Sequence, residues 1–167
     1  MNKEIVRNFL EIKSINSLNE VKKISEDYSI EVLKSEEYQL NKFLYKKIGN
    51  KYEWKDRLNW TESNWIEYIS NKNLTTHILK KKDDLVGYFE LFHHADSKEC
   101  EIIYFGILEE YFGKKLGGYL LSYAIKKSFA LGVSRIWLHT CSLDHKNALR
   151  NYLARGMKIF KTENLIR

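Results

Sequence analysis

One continuous strand–turn–helix unit lies between residues 99 and 132 and restricts the folds open to this chain. The run E-C-E-I-I-Y-F-G-I-L at 99–108 predicts a strand. The segment Y-F-G-K-K-L-G-G at 111–118 then predicts a tight turn that leads into a helix at about Lys115. Apolar residues at helical spacing continue this helix until Gly132 ends it, namely Leu116, Leu120, Leu121, Ala124 and Ile125.

The rest of the chain alternates between the same two kinds of pattern. Alternating bulky residues predict further strands, at 8–14, 28–34, 75–80, 85–93, 134–141 and 157–161. Apolar spacing and capping residues predict further helices, at 18–27, at 35–49, after Thr61 and at 145–155. No linker and no internal repeat interrupts the pattern, so we expect residues 1–167 to form one domain of mixed α/β layers.

Charge and composition narrow the classes of function. The formal charge of +6 suits a polyanion or a phosphate-rich small molecule as ligand. Apart from K-K-K at 80–82, the basic residues are dispersed and no RNA-binding signature is present. We therefore expect no nucleic-acid partner. The charge alone does not decide which ligand is bound, and a solvated basic surface is the alternative interpretation.

Three features predict a cytoplasmic protein that does not enter a membrane. The sequence lacks an apolar run of about 20 residues, the length needed to cross a bilayer. The segment M-N-K-E-I-V-R-N-F-L at the start is charged throughout, unlike a secretory signal. Cys100 and Cys141 are the two cysteines, so no disulfide framework is implied and a reducing compartment is expected.

The glycine turn is a candidate anion site. Backbone N–H groups at the start of a helix are unpaired, and together with the helix dipole they favour a negative charge. Gly113, Gly117 and Gly118 allow a phosphate to approach the backbone, while Lys114 and Lys115 add positive charge. The turn lacks the patterns G-x-G-x-x-G and G-K-S/T, so a dinucleotide or nucleoside-triphosphate site is not indicated. Plain turn geometry is the alternative interpretation.

Longer motifs surround this turn. E-I-I-Y-F-G-I-L-E-E-Y-F-G leads into it at 101–113, H-T-C follows at 139–141, and Ala148, Tyr152 and Gly156 have the spacing A-x-x-x-Y-x-x-x-G. Over about residues 8–163 the chain resembles the GNAT acyltransferase superfamily, and within it a bacterial subgroup with the pattern Y-F-G … G-G-x-L-L … H-T-C-x-L-D-H … N-Y-x-A-R-G. The resemblance implies a mixed, mostly antiparallel central sheet with helices on both faces and a splay between its two central strands.

The resemblance also implies acetyl-coenzyme A as acyl donor, bound by its pyrophosphate on a turn of pattern Q/R-x-x-G-x-G/A. Here Phe112 takes the first place, Lys115 that of the first glycine and Gly117 that of the second, so two of the three positions depart from the pattern. The implied donor-binding residues are Ile107 and Leu108 for the pantetheine arm, and Phe112, Gly113, Lys114, Lys115, Leu116, Gly117 and Gly118 for the pyrophosphate.

His145 takes the place of an asparagine that binds the pantetheine in many relatives. One ring nitrogen of a histidine could donate the same hydrogen bond. Alternatively, Asp144 fixes the tautomer of this ring and the pair is structural.

Acyl transfer to an amine needs a proton acceptor, a donor to the developing oxyanion and a proton for the leaving thiolate. By resemblance, Glu101 is the candidate base, and Glu90 on the neighbouring strand is its rival. The backbone N–H of Ile107 is the candidate oxyanion donor, and Tyr152 is the candidate acid. The alternatives are a surface glutamate at a strand edge and a tyrosine that only packs against the sheet.

The acceptor pocket is expected from aromatic residues of the N-terminal half, above all Tyr45, Trp54 and Trp60, although core packing is the alternative. Asp56 or Glu53 could attract a cationic amine. His139, Cys141, Asp144 and His145 lack the spacing of a known zinc site, so no metal is expected.

The sequence thus predicts an acetyl-CoA-dependent N-acetyltransferase that acts on a primary amine of a small molecule or a peptide. A non-catalytic GNAT-like module that binds coenzyme A or a protein is the alternative, suggested by the altered turn. A homodimer is compatible with either hypothesis.

Overall fold

The fold is a seven-stranded sheet with two helices on each face; the computed structural model describes residues 2–167. In chain order the strands are β1 (Glu4–Ile12), β2 (Tyr28–Val32), β3 (Leu74–Lys81), β4 (Asp84–His94), β5 (Glu99–Ile107), β6 (Arg135–Cys141) and β7 (Lys158–Ile166). Their order across the sheet is β2-β3-β4-β5-β6-β1-β7. Only β5 and β6 run parallel, and every other neighbouring pair is antiparallel.

The helices are α1 (Tyr38–Gly49), α2 (Glu62–Ile69), α3 (Leu116–Phe129) and α4 (Ala148–Ala154). On one face, the buried side of α3 and α4 packs on apolar residues of the central strands and β1, such as Leu10, Ile102 and Ile136. On the other face, α1 packs on residues that include Ile78 and Tyr88, and α2 adjoins β3. The predicted mixed, mostly antiparallel sheet with helices on both faces is confirmed. Within residues 2–167, no helix is both long and apolar enough to span a membrane.

The two parallel strands at the centre of the sheet pair over three residues only. The pairs are Glu99–Arg135, Cys100–Ile136 and Glu101–Trp137, after which β5 and β6 separate. On its other side β5 stays paired with β4, with a bulge between the pairs Phe89–Phe105 and Leu91–Ile102. An extra residue in one strand bends it and increases its twist, which accounts for the departure of β5 from β6. The predicted splay is therefore present.

The N-terminal strand lies between β6 and the last strand. Phe9 pairs with His139 of β6 on one side and with Lys161 of β7 on the other. Residues more than 125 positions apart in the chain thus become neighbours in the sheet. The first and last segments together extend the sheet on the β6 side of the splay.

The predicted elements differ from the structure in two ways. The segment 18–27 is not a helix; a short 3₁₀ turn at Ile15–Ser17 precedes an irregular stretch. Its backbone bonds to other elements instead of to itself, because the Val21 N–H donates to Ser122 Oγ at 2.9 Å and the Asn19 N–H to the Arg155 carbonyl at 3.0 Å. A helix this short is marginal without such competition.

The other difference concerns the ends of elements. The last strand, predicted at 157–161, continues to Ile166 because it pairs along the whole of β1. The helix predicted from Ser35 begins with a 3₁₀ turn, and its α-helical part starts at Tyr38. The helix predicted after Thr61 is present as predicted, and the Thr61 side chain accepts the Asn64 N–H at 3.2 Å.

A buried ion pair lies beneath α2. Arg57 is 4% exposed and Glu90 is 0% exposed, and their side chains meet at 2.8 Å. Tyr68 donates its hydroxyl to the second oxygen of Glu90 at 2.5 Å and accepts a hydrogen bond from Arg57 at 2.6 Å. Five aromatic rings lie within 4.0–5.6 Å of the guanidinium carbon, those of Tyr45, Trp60, Trp65, Tyr68 and Tyr104. We call this group the Arg57 cage.

Gly132 after α3 and Gly156 after α4 should differ in how much stability an alanine substitution costs. Gly156 has φ +104° and a Cβ there would stand 2.0 Å from the Ser17 carbonyl oxygen, whereas Gly132 has φ +80° and open space. Gly132→Ala should cost about 1 kcal/mol from backbone strain alone. Gly156→Ala should cost about 3 kcal/mol or more, because the backbone of residue 17 must also move. Urea unfolding of both variants measures the difference, and equal losses would contradict the contact.

Candidate active site

A cleft of about 380 Å³ opens where β5 and β6 separate. One wall is the free side of β5 from Ile102 to Ile107, and the other includes Leu138 and His139 of β6. The turn before α3 and residues of α4 also line it, as do the segment 52–56, Arg7 and Arg167. The splay therefore creates one cleft that the glycine turn and the free side of β5 share.

The turn before α3 presents free amides to this cleft. Gly113 has φ +78° and Lys115 has φ +60°, so Lys115 adopts the left-handed conformation in which glycine is favoured. Within residues 2–167, no acceptor takes a hydrogen bond from the amides of 113–118, and the first bonded helix donor is the Tyr119 N–H, to the Lys115 carbonyl at 3.2 Å. Unpaired amides at the positive end of a helix are suited to an anion.

The turn residues do not all face the cleft. Phe112, Gly113, Lys115, Leu116 and Gly117 line it. Lys114 and Gly118 were also predicted to bind the donor, but neither lines the cleft. The Lys114 ammonium lies 5.3 Å from the centre of the Tyr111 ring. A Cβ at Gly118 would stand 2.3 Å from the Arg155 guanidinium, so packing explains this glycine.

The end of β5 supplies a backbone donor on the open side. The Leu108 N–H donates to the Val86 carbonyl of the β4 side at 2.8 Å, and Ile107 is paired with Gly87. Residues alternate in direction along an antiparallel ladder, so the N–H and C=O of Ile107 point away from β4. They face the splay. Leu108 itself is buried and does not line the cleft.

Tyr152 of α4 reaches the cleft from the face of the sheet that α3 and α4 cover. The residue is 7% exposed and lines the cleft. Its hydroxyl has no hydrogen-bond partner among residues 2–167. Burial, and then the charge of Asp144, raise the pKa of this phenol, so it carries its proton at neutral pH.

His145 also lines the cleft, with its ring 4.8 Å from that of Phe112. Its Nδ1 accepts the Asn147 N–H at 3.0 Å, so in the neutral ring the proton is on Nε2. Asp144 does not fix this tautomer, contrary to the alternative above. Its carboxylate accepts from Thr140 at 2.5 Å and from the Cys141 N–H at 2.9 Å.

Glu101 stands at the last pair of β5 and β6, where the splay begins. Its side chain is 19% exposed, and it bonds His94 Nε2 at 3.2 Å. It does not itself line the cleft, whereas His139, two residues beyond its partner Trp137, does. The carboxylate and the imidazole are close enough for Glu101 to act on the pKa of His139.

Glu90, the predicted rival of Glu101, does not belong to the cleft. Both of its oxygens are bonded inside the Arg57 cage, and none of its surface is exposed. A carboxylate so paired has no free lone pair directed at a substrate. Sequence reasoning expected Glu90 and Glu101 to meet across the hairpin, but the fold directs Glu90 beneath α2.

Two of the three aromatic residues predicted to bind the acceptor do not line the cleft. Tyr45 is 0% exposed, and Trp60 packs on Trp65 and Tyr68 with ring centres 4.9 and 5.1 Å apart. Trp54 does line the cleft, with its ring 4.6 Å from that of Tyr104. The core interpretation is therefore right for Tyr45, whereas Trp60 is half-buried outside the cleft.

Sequence reasoning missed His139 and Arg7 as cleft residues. His139 was considered only as a metal ligand, and within residues 2–167 no group of three possible ligands converges. The ring is accessible from the cleft, yet partial desolvation by its neighbours, and then the Arg7 charge, lower its pKa. Its place in a strand that ends at a splay was the available signal. No sequence signal indicated Arg7, because its position depends on pairing between distant segments.

Comparisons with known proteins agree with this geometry. The model of the Acetyltransferase (GNAT) family matches residues 30–157, well over half of the chain. No curated protein sequence matches the chain. Among solved structures, an aminoglycoside acetyltransferase from an uncultured soil metagenomic sample has a TM-score of 0.67 at 14% identity, over 80% of this chain and 90% of its own.

Two further structures are longer than this chain. A functionally unknown conserved protein from Staphylococcus epidermidis has a TM-score of 0.69 at 16% identity, over 99% of this chain and 62% of its own. A GCN5-related N-acetyltransferase from Kribbella flavida has a TM-score of 0.67 at 18% identity, over 96% of this chain and 57% of its own. At these identities the likeness extends to the fold, and the chain spans less than two thirds of both proteins. The family match and the fold agree: the chain belongs to the GNAT family of acetyltransferases.

Proposed function

We propose that the protein is an acetyl-CoA-dependent N-acetyltransferase whose acceptor is a primary amine of a small molecule or a peptide. One observation carries the proposal: the free amides before α3 and the unpaired edge of β5 line the same cleft. An anion site and an open strand edge are the two features that a pyrophosphate joined to an amide-containing arm needs. Both cysteines are free, which supports a reducing compartment such as the cytoplasm.

The turn before α3 would hold the pyrophosphate. Backbone donors need no particular side chain, so the departures at Phe112 and Lys115 leave the amides in place. Lys115 accepts the left-handed conformation that its position requires and adds a positive charge at the mouth of the cleft. The free Nε2–H of His145 and the edge of β5 would bond the amides of the arm.

The reacting groups would meet in the splay. The Ile107 N–H points to the region where negative charge develops on the thioester oxygen. Glu101, at the start of the splay and with its carboxylate held by His94, would take the proton of the attacking amine through a water molecule, because it does not itself line the cleft. As the C–S bond breaks, Tyr152, which carries its proton at neutral pH, would give that proton to the leaving thiolate.

Titration with acetyl-CoA, followed by thiol release with a panel of amines, tests the proposal. Binding with turnover supports it. Binding of coenzyme A without turnover of any amine would favour the non-catalytic module. Failure to bind acetyl-CoA at all would contradict the pyrophosphate site.

The anion site predicts that one substitution changes stability and binding in opposite directions. Gly117→Asp adds a negative charge to the first turn of α3, where a Cβ meets only the Asn151 amide, at 3.4 Å. Interaction with the helix dipole should leave the protein as stable or about 0.3–1 kcal/mol more stable. Acetyl-CoA binding should nevertheless weaken at least about tenfold, because like charges repel at the site. Calorimetry and thermal unfolding measure both effects, with Gly117→Ala as the uncharged control.

The assignment of Glu101 predicts a large loss of turnover from a small change. Glu101→Gln keeps the size of the side chain and its place beside His94, but removes the proton acceptor. The kcat should fall by about 10²- to 10⁴-fold while acetyl-CoA affinity stays the same. Glu99→Gln, two residues earlier on β5 and paired with Arg135, is the matched control and should keep most of the activity.

Substitution of His139 tests the assignment of Glu101 as the proton acceptor. If His139→Gln abolishes turnover and Glu101→Gln does not, the imidazole and not the carboxylate accepts the proton. In that case the acid limb of the pH–rate profile should follow the lowered pKa of His139.

The assignment of Tyr152 predicts a loss confined to the chemical step. Tyr152→Phe retains the packing of the ring on Phe105 and removes only the hydroxyl. We expect kcat to fall by about 10²-fold or more, with little change in acetyl-CoA affinity. Tyr119→Phe on α3, a tyrosine that does not line the cleft, should behave as the unmodified protein. An equal kcat in the two variants would exclude Tyr152 as the acid.

A further inference from the structure

Residues of opposite charge line the cleft. Glu53 and Asp56 line it from the segment before α2. Arg7 and Arg167 line it from β1 and the residue after β7. A cleft charged in this way is complementary to a ligand that carries both signs.

Arg7 has hydrogen-bonding capacity that the protein does not use. Its side chain is 28% exposed, and its nearest acidic partner, Glu163 of β7, is 3.9 Å away. Its Nε is buried and has no acceptor among residues 2–167. A buried donor without a partner is costly. The exposed part of the side chain is not committed to a close partner and remains open to an acceptor in the cleft.

Arg7 lies on the side of the sheet that faces the reacting groups. It is paired with Cys141 of β6, and Phe9, two residues along β1, is paired with His139. Residues two apart in a strand share a face, and paired residues point to the same side of the sheet. Arg7, Cys141 and His139 all line the cleft. An anion bound by Arg7 would thus be held beside the end of the splay.

Arg7 and Arg167 lie outside the part of the chain that matches the family. The matched region is 30–157, whereas Arg7 belongs to the N-terminal strand and Arg167 follows the last one. The backbone of Arg167 is fixed by hydrogen bonds with Lys3 in both directions, at 2.7 and 3.1 Å. These two arginines are therefore a feature of this chain and not of the matched family region.

The acidic residues of the cleft lining offer a partner for a cation. Asp56 accepts a hydrogen bond from the Tyr104 hydroxyl at 3.4 Å, and within residues 2–167 no basic side chain forms an ion pair with it. Glu53, in contrast, has Lys3 at 3.8 Å and Lys55 at 3.5 Å. Asp56 is thus the free carboxylate available to an arriving ammonium group, with Trp54 beside it on the same wall.

We propose that Arg7 binds an acidic group of the acceptor, so that the substrates are small zwitterions with a primary amine and a carboxylate or phosphate. The proposal rests on the acetyl transfer proposed above. Arg7 recognises the acid through its guanidinium, and Asp56 attracts the ammonium before its proton is removed. Simple amines and polyamines, which lack the acid, are then poor acceptors.

Matched acceptor pairs test the substrate class. Each amino acid in a panel is compared with the amine that remains when its carboxylate is removed, and with the corresponding aminophosphonate. The acid-bearing member should have a kcat/KM about 10- to 100-fold higher, the range expected for a charged hydrogen-bonded pair. Amino acids and aminophosphonates distinguish the two kinds of acid. A preference for the simple amines would overturn the proposal.

Substitution of Arg7 tests the residue. Arg7→Gln should reduce the ratio of kcat/KM between the acid-bearing and acid-free members at least about tenfold, mainly through a higher KM for the acid. Arg150→Gln makes the same change on an exposed position of α4 that does not line the cleft, and it should leave the ratio unchanged. A ratio that survives Arg7→Gln would exclude Arg7 as the recognition group.

A binding measurement separates this inference from the proposed reaction. Calorimetric titration of the same acceptor pairs, in the presence of coenzyme A, detects recognition of the acid without any turnover. Preferential binding of the zwitterions that is lost in Arg7→Gln would support the subsite even if no acetyl transfer occurs. Equal binding of both members would contradict it even if acetyl transfer is found.

Discussion

The whole site depends on the early end of pairing between β5 and β6. After Glu101 and Trp137 the two strands no longer share hydrogen bonds, and a bulge in β5 turns its free edge outward. Had the strands remained paired, the Ile107 amide would be bonded within the sheet and the cleft would not exist. The free amides before α3 are accessible to an anion because they open onto this gap.

The Arg57 cage holds the β4–β5 side of the gap in shape. Burial of an ion pair contributes little stability by itself, because desolvation offsets the attraction between the charges. Its geometry is nevertheless specific: the guanidinium lies 4.5 Å from the centre of the Tyr104 ring, and Tyr104 in turn packs on Trp54 in the cleft wall. We infer that Glu90 acts on the site from a distance, as a support for this wall.

Local signals predicted the glycine turn, the start of α3 and the cap at Thr61, since these features are set by neighbouring residues. Position in the core was harder to predict. Tyr45 and Glu90 have the chemistry of site residues, but Tyr45 packs into the core from α1 and Glu90 is buried in the Arg57 cage. The place of Arg7 in the cleft could not be predicted, because it depends on pairing of β1 with strands that lie more than 120 residues later. Periodicity contains no information on such pairing.

The position of β1 has a consequence for the order in which the molecule can assemble. Its sheet neighbours are β6 and β7, so during synthesis the first strand must wait unpaired until the last quarter of the chain emerges. The strands β2 to β5 can meanwhile join their sequence neighbours as they appear, because their contacts are local. The half of the cleft that would hold the donor can therefore mature first, and closure of the sheet around the N-terminal strand is the step that completes the other half.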